Sequence, residues 1–267
     1  MESSGVSGLI APTPFPDGSS TMTIAAQPGG SVVDMGLSAD LAAAALDLAR
    51  RFHDGATLWV MSPQWEPHAH HVAVEFVHPV IMGKRALPSV ALVEPDPVAQ
   101  VRVATSPGDL LLAVASANEP AVVDAMRRAP AWGVLTLWIG SGPRPPAGAA
   151  NHILWIDSDD PMVPATGKFV LMYHLLWELT HVCFEHAGLL KPTDEETVCV
   201  TCSDEGRLGE IVLEPADVAG QALVRTAKGE EWVDTTILGD VRINDLVLVH
   251  AGAAITRLDD TWEEANQ

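Results

Sequence analysis

The sequence is poor in basic residues and in cysteine. Lysine and arginine together number 15 against 35 acidic residues, so the formal net charge is -20. Nucleic acids and anionic membrane surfaces bind proteins through positive charge, so neither is an expected partner. Only three cysteines occur, Cys183, Cys199 and Cys202. Because they form no regular disulfide framework, we expect a reducing, cytoplasmic location.

A long uninterrupted apolar run is also missing. The richest apolar stretch, residues 169 to 184, is broken by His174, Glu178 and His181, so no membrane span is predicted. The first 20 residues lack the basic start and apolar core of a secretory signal peptide. With 48% hydrophobic and 19% charged residues, the 267-residue chain has the composition of one large or two ordinary globular domains.

Apolar periodicity predicts a doubly wound α/β fold of the flavodoxin-like kind. Residues 1 to 36 are rich in Ser, Gly, Pro and Thr, which favours a flexible lead-in. From Ser38 a helical run extends to Gly55. Predicted strands then alternate with helices; the strands are ATLWVM, PSVALV, GDLLLAVA, GVLTLWIG and NHILWID. Such alternation, closed by a long helix at 167 to 187, is typical of a parallel sheet covered on both faces.

The last part of the chain predicts a small β-barrel of the OB-like kind. Its expected strands are Gly209 to Leu213, Gln221 to Thr226, Glu231 to Thr236 and Asp245 to His250. Turn signals separate them, at Lys228-Gly229 and Asn244-Asp245. We therefore expect a flexible segment over 1–36, an α/β domain over 37–190 and a barrel domain over 191–267.

Cys199 and Cys202 form a C-x-x-C pair in the stretch TVCVTCSDEG. Two thiols at this spacing can face one point, which suits metal capture or redox exchange. An incidental pair at the start of a strand is the alternative, because a complete structural zinc site needs two more ligands.

The barrel segment resembles the HypC/HupF family of nickel–iron hydrogenase maturation chaperones. The resemblance rests on a cysteine near the start and on a final strand that carries Asp245, Val247, Leu248, Val249, His250, Gly252, Ala254 and Ile255. It implies that iron, as an Fe(CN)2CO fragment, passes between a HypD-type scaffold and the hydrogenase large-subunit precursor. The implied iron ligands are Cys199, Cys202 and His250. Measured back from Gly206, the family's cysteine position falls between Cys199 and Cys202, so which thiol has the role stays open; Cys199 is favoured because it begins the pair.

Residues 38 to 188 resemble the SIS (sugar isomerase) domain, closest to the phosphoheptose isomerase type. The segments GDLLLAVASANEPAVVDAM, HAHHVAVEF and YHLLWEL carry this resemblance. It implies ligand binding at the carboxyl ends of strands, at 61–66 and 116–120. It also implies a zinc pair at His71 and Glu75, four residues apart on one helix face. Other histidines of this part, His174 and His181, are expected to line the cleft or a dimer face.

Departures from the SIS pattern predict a non-catalytic domain without zinc. Pro63 and Trp65 stand where the family has a glycine-rich phosphate loop, and only Ser116 remains of a second, serine-rich loop. The motif that supplies a further zinc ligand is matched by 166–169, which retains little of its chemistry. The possible vestigial site consists of Ser62, His71, Glu75, Ser116, Asn118 and His174.

Three functions are compatible with these patterns. The first is a maturation chaperone that is not an enzyme, with a homodimer possible through the SIS-like part. The second is a phosphosugar isomerase, or a sugar-phosphate-sensing SIS protein, with an accessory barrel. The third is a structural dimer in which both ligand sites have lost their function. The agreement of cysteine and histidine positions favours the first.

Overall fold

The computed structural model describes residues 35–79, 81, 83–165, 167–191, 206–213 and 220–258. These residues belong to one compact unit, Val33–Gln267. Cys199 and Cys202 lie outside the described residues, as does almost all of the predicted N-terminal segment. The predicted boundary between an α/β domain and a barrel domain, at 190 and 191, stays a prediction.

The first part of the described chain is a five-stranded parallel sheet with helices on both faces. Its elements are α1 (Met35–His53), β1 (Leu58–Met61), α2 (Glu66–Val77), β2 (Ser89–Leu92), α3 (Pro97–Ala104), β3 (Leu110–Val114), α4 (Pro120–Arg128), β4 (Leu135–Ser141), β5 (His152–Ile156) and α5 (Gly167–Glu185). The strand order is β2-β1-β3-β4-β5, and every pairing is parallel. The predicted parallel α/β sheet is therefore confirmed.

Helix α3 was absent from the sequence prediction. It is eight residues long and begins with the pair Asp96-Pro97, in which the Asp96 carboxylate accepts a hydrogen bond from the Ala99 amide at 2.9 Å. An N-cap aspartate followed by proline is a recognisable start signal. The short apolar run that follows hides the signal, because it fits a strand as well as a helix.

Strand β3 shows why the sheet is covered on both faces. All five residues of LLLAV are buried, and alternate side chains point to opposite sides. Leu110, Leu112 and Val114 belong to an apolar cluster with α1, α2 and α5. Leu111 and Ala113 belong to a second cluster with α3 and α4. Helices α2 and α5 therefore share one face of the sheet and contact each other.

The strand order creates a crevice between β1 and β3. After β1 the chain crosses to β2 on one side, whereas β3 lies on the other side of β1. The helices that follow β1 and β3, α2 and α4, therefore pack on opposite faces of the sheet. In open α/β sheets this switch point is where ligands bind.

The last five strands form a mixed sheet that closes on itself. They are β6 (Arg207–Leu213), β7 (Gln221–Thr226), β8 (Gly229–Asp234), β9 (Leu246–His250) and β10 (Ala253–Arg257), joined in the order β10-β8-β7-β6-β9. The β8–β10 pair is parallel and the others are antiparallel. Strand β10 was not predicted as a separate strand. Ala251 and Gly252, both with positive φ, form the tight turn that divides one predicted strand into two.

A buried carboxylate joins this closed sheet to the α/β layers. Glu210 on β6 is fully buried. Arg102 and Arg128 donate to its Oε1 at 2.9 and 3.0 Å, and the Trp132 indole donates to Oε2 at 2.7 Å. Arg225 on β7 donates to the backbone carbonyl of Arg102 at 2.7 Å. The charge and its hydrogen-bonding capacity are therefore satisfied, as a buried carboxylate requires.

We expect Glu210→Gln to lower the free energy of unfolding by about 3 kcal/mol, because two guanidinium groups would then face a neutral amide in a buried contact. The matched control is Glu231→Gln on β8. Glu231 pairs with Arg207 at 2.6 Å, but both side chains are about one third exposed, so the expected loss is below about 1 kcal/mol. Denaturant unfolding of both variants checks this, and equal losses would contradict the role given to burial.

Among the described residues, no helix combines the length and the apolar character that crossing a membrane requires.

Candidate functional site

The loops after β1 and β3 meet through side-chain hydrogen bonds. Gln64 Oε1 accepts from the Ser116 backbone amide at 3.0 Å and from its hydroxyl at 2.8 Å. Asn118 Oδ1 lies 2.9 Å from the same hydroxyl. Ser62 is buried and donates its hydroxyl to the Val114 carbonyl at 2.8 Å. Of the predicted residues, Ser116 and Asn118 therefore lie at the crevice, whereas the Ser62 hydroxyl is used within the fold.

Gln64 was not among the predicted site residues. An anion at the switch point would be held by backbone amides and hydroxyls of the loop after β3. Here the Ser116 amide already donates to Gln64. The sequence prediction for this loop rested on Pro63 and Trp65, which flank Gln64. The Gln64 side-chain oxygen accepts the hydrogen bonds from Ser116 that a bound anion would otherwise accept.

A second group of polar side chains lies between α2 and α5. His71 and Glu75, one helical turn apart on α2, meet His174 on α5, and their ligand atoms all lie within 4.8 Å of one another. His174 Nε2 is 3.3 Å from His71 Nε2 and 3.6 Å from Glu75 Oε2. The structure thus brings together three of the six residues predicted for the vestigial site.

The third member of this group comes from a different position than the sequence comparison suggested. The SIS resemblance places that ligand within 166–169. Phe169, in the first turn of α5, is fully buried and packs in the apolar core. His174 lies five residues further along the helix, on the side that faces α2. The loss of the motif at 166–169 therefore does not remove a third ligand from the site.

His71 is held on its other side by Tyr173. The Tyr173 hydroxyl lies 2.8 Å from His71 Nδ1 and 3.5 Å from His68 Nδ1. His68 Nε2 lies 2.7 Å from the carbonyl oxygen of Pro164. Neither Tyr173 nor His68 was in the predicted site, since nothing in the local patterns indicates contacts about 100 residues apart.

Burial and neighbouring charges shift two pKa values in this group. Burial, followed by the charges of His174 and His68, lowers the pKa of His71, and Glu75 opposes this only in part. Burial, together with the Glu75 charge, raises the pKa of Tyr173 to about 12. At neutral pH His71 is therefore a neutral imidazole, the form that binds metals, and Tyr173 keeps its proton.

An open cavity of about 790 Å³ lies beside His68. It is lined by 63–68 at the start of α2 and by residues around the start of α5, among them Met162, Pro164 and Val170. His68 belongs to both the cavity wall and the hydrogen-bonded group. A small molecule in this cavity would contact His68, which is linked to His71 through the Tyr173 hydroxyl.

His181 does not line this crevice. It is buried, with Nδ1 2.9 Å from the Trp177 carbonyl and Nε2 3.0 Å from the Arg85 carbonyl. The expectation that it lines the cleft or a dimer face is wrong, because the side chain is buried and both ring nitrogens contact backbone carbonyls within the fold. His250, at the end of β9, is exposed, and the two cysteines predicted to act with it lie outside the described residues.

Comparison with known proteins points to one relative. No family model matches the chain. A phosphoheptose isomerase from Nitratidesulfovibrio vulgaris (strain DSM 19637 / Miyazaki F) is 31% identical over 143 residues, which cover 46% of this chain and 68% of that protein.

Two solved structures resemble the fold. A phosphoheptose isomerase from Francisella tularensis is 16% identical. The match covers 54% of this chain and 86% of that protein, with a TM-score of 0.48. A phosphoheptose isomerase from Neisseria gonorrhoeae is 15% identical. The match covers 57% of this chain and 88% of that protein, with a TM-score of 0.43.

The prediction of a hydrogenase maturation chaperone is wrong, since the relative found is an isomerase and no family model supports a HypC/HupF domain. The prediction that the chain is not an enzyme is wrong for the same reason. The Fe(CN)2CO fragment and the HypD-type and large-subunit partners followed from that resemblance alone. With 31% identity over more than two thirds of the relative's length, the chain belongs to the phosphoheptose isomerase family.

Proposed function

We propose that this protein catalyses aldose–ketose isomerisation of a sugar phosphate at the group formed by His71, Glu75 and His174. The convergence of the ligand atoms of these three side chains is the observation that carries the proposal. The activity named for the 31% identical relative supports it. Heptose phosphates are the first substrates to test.

The same three side chains fit a divalent metal ion. Two imidazole nitrogens and one carboxylate oxygen, all within 4.8 Å, form the donor set of catalytic zinc sites that keep a fourth position open. The hydroxyl beside His71 Nδ1 leaves Nε2 for the metal, as ordering contacts behind metal ligands do. The absence of zinc predicted from 166–169 stays untested, and this geometry favours its presence. A bound ion would polarise the sugar carbonyl.

Isomerisation needs one group that moves a proton between two neighbouring carbons and a second group that exchanges protons with the oxygens on those carbons. In protein without a bound ion, the Glu75 carboxylate, 12% exposed, would take the proton from the carbon next to the carbonyl, while His174 gives a proton to the carbonyl oxygen. With an ion bound, both side chains would be its ligands, and the ion would serve the carbonyl oxygen in place of His174. An enediol forms. Glu75 then returns its proton to the former carbonyl carbon, and His174 takes the proton of the neighbouring hydroxyl, which becomes the new carbonyl.

The substrate phosphate would lie at the crevice, near Ser116 and the start of α4. The first turn of α4 offers a favourable dipole to an anion. Against this, Gln64 occupies the Ser116 amide and hydroxyl, and Glu119 adds a negative charge to the loop. We infer that phosphate binds here with modest affinity and displaces the Gln64 oxygen.

A homodimer through the α/β part, and a cytoplasmic location, are further proposals. The location is supported by the low cysteine content. The dimer is supported by two exposed apolar side chains beside the site. Val74 is 56% exposed and lies three residues after His71, and Leu171 is 44% exposed and lies three residues before His174. A second copy on this surface would shield the site from water.

We also infer that the closed C-terminal sheet is OB-like and acts as an accessory to the α/β part. Five strands with a single parallel pair, β8 with β10, support the assignment.

Replacement of either proton-transferring group should lower turnover. We expect Glu75→Gln and His174→Gln each to reduce kcat by about 100- to 10,000-fold, the usual contribution of a positioned acid or base. His70→Gln is the control, because His70 is exposed on the same helix and its Nε2 lies 3.2 Å from Glu66 Oε1. Conversion of heptose and hexose phosphates by the protein without and with added zinc gives the measurement, and no conversion by the unsubstituted protein under either condition would refute the proposed function.

Zinc should bind with one-to-one stoichiometry to protein freed of metal by a chelator. His71→Ala should weaken this binding at least about 10-fold, because it removes one of three ligands, whereas His70→Ala should leave it unchanged. Calorimetric titration with zinc measures the affinity of each variant. Equal affinities for both variants would exclude a metal at this group.

Removal of the internal acceptor should help substrate binding. In Gln64→Ala the Ser116 amide and hydroxyl become available to an anion, so we expect KM for the sugar phosphate to fall about 3- to 10-fold with little change in kcat, since one or two hydrogen bonds are gained. Steady-state kinetics measure it. An increase in KM would mean that Gln64 itself binds the substrate.

A further inference from the structure

We propose that His68 and Tyr173 determine which ring nitrogen of His71 carries its proton, so that Nε2 of His71 stays unprotonated and faces Glu75 and His174. This inference rests on the proposed function of that group. It assigns positioning roles to two residues that are not among the three proposed metal ligands. Four hydrogen-bonding groups connect the backbone to the site.

The first hydrogen bond of this connection is accepted by the backbone carbonyl of Pro164. A carbonyl oxygen can only accept a hydrogen bond, and it lies 2.7 Å from His68 Nε2. His68 must therefore carry a proton on Nε2. In a neutral imidazole the other nitrogen, Nδ1, then has a free lone pair and can only accept.

Tyr173 passes this constraint to His71. Its hydroxyl has one proton and lies 3.5 Å from His68 Nδ1 and 2.8 Å from His71 Nδ1. If the proton is given to His68, the phenol oxygen accepts from a proton on His71 Nδ1, and every contact pairs a donor with an acceptor. If it is given to His71 instead, lone pairs of His68 and Tyr173 face each other in a part-buried contact, which costs free energy.

The backbone and the core hold this arrangement in place. Tyr173 is fully buried, and Pro164 is buried in the short 3-10 turn Val163–Ala165. The His68 ring packs against Phe169 and Tyr173, with centroids 5.7 and 5.9 Å away. The orientation of His71 is therefore set by groups that are fixed before any ligand arrives.

The consequence for the site is a preformed acceptor. With its proton on Nδ1, His71 presents a lone pair on Nε2, 3.3 Å from His174 Nε2. A metal or a substrate hydroxyl then meets this nitrogen without a change of tautomer. Contacts behind a metal-binding histidine typically change metal affinity by about 10- to 100-fold.

The experiment is nitrogen-15 NMR of the imidazole rings in the full-length, metal-free protein at about pH 8, where histidines are neutral. In the unsubstituted protein we expect His71 to be protonated at Nδ1. In Tyr173→Phe, and in His68→Phe, we expect a shift toward the Nε2-protonated form and a loss of about 10- to 100-fold in zinc affinity. His70→Phe is the matched control, one residue from His71 on the same helix, and should change neither quantity.

Two variants are used because either one alone could disturb packing. Both keep an aromatic ring in place, and thermal unfolding reports any loss of fold. If His71 keeps the Nδ1 proton in folded Tyr173→Phe protein, or is Nε2-protonated in the unsubstituted protein, the inference is overturned. The readout needs neither substrate nor turnover, so a protein that lacks isomerase activity but shows the tautomer shift would refute the proposed function and leave this inference standing.

Discussion

The burial of the parallel sheet on both faces is the constraint on which the rest of the structure depends. Strand β3 is apolar throughout, so helices must cover both of its sides. One side receives α1, α2 and α5 together. Because α2 follows β1 at the switch point and α5 closes the same layer, polar residues on their outer surfaces meet beside the crevice. The positions of His71, Glu75 and His174 follow from that packing.

The sequence predicted more of the fold than of the site. Alternating apolar runs were sufficient for the strands of the parallel sheet, since a buried strand requires a continuous apolar stretch. Helix α3 and strand β10 were missed, because one is too short for its period to be distinctive and the other is separated from β9 by only Ala251 and Gly252. Neither error affects the crevice.

The site could be predicted only within single elements. His71 and Glu75 are four residues apart, so helical geometry alone places them together. Their proximity to His174, and the contact of Tyr173 with His68, depend on how two helices dock, which no local pattern encodes. The functional prediction failed for another reason. It relied on the resemblance of the last quarter of the chain, where Cys199 and Cys202 have no second C-x-x-C pair to complete a metal site, and not on the histidines between α2 and α5.

If an anion binds at the Ser116 loop as proposed, the Gln64 side chain is an internal competitor, because it already accepts hydrogen bonds from the Ser116 amide and hydroxyl. Such a group is always present at a high effective concentration, whatever the concentration of the ligand outside. Only the fraction of molecules in which the Gln64 side chain has moved away is ready to bind an anion, and apparent affinity falls in proportion to that fraction. This protein would therefore respond to its ligand over a higher concentration range than the same loop would without the glutamine.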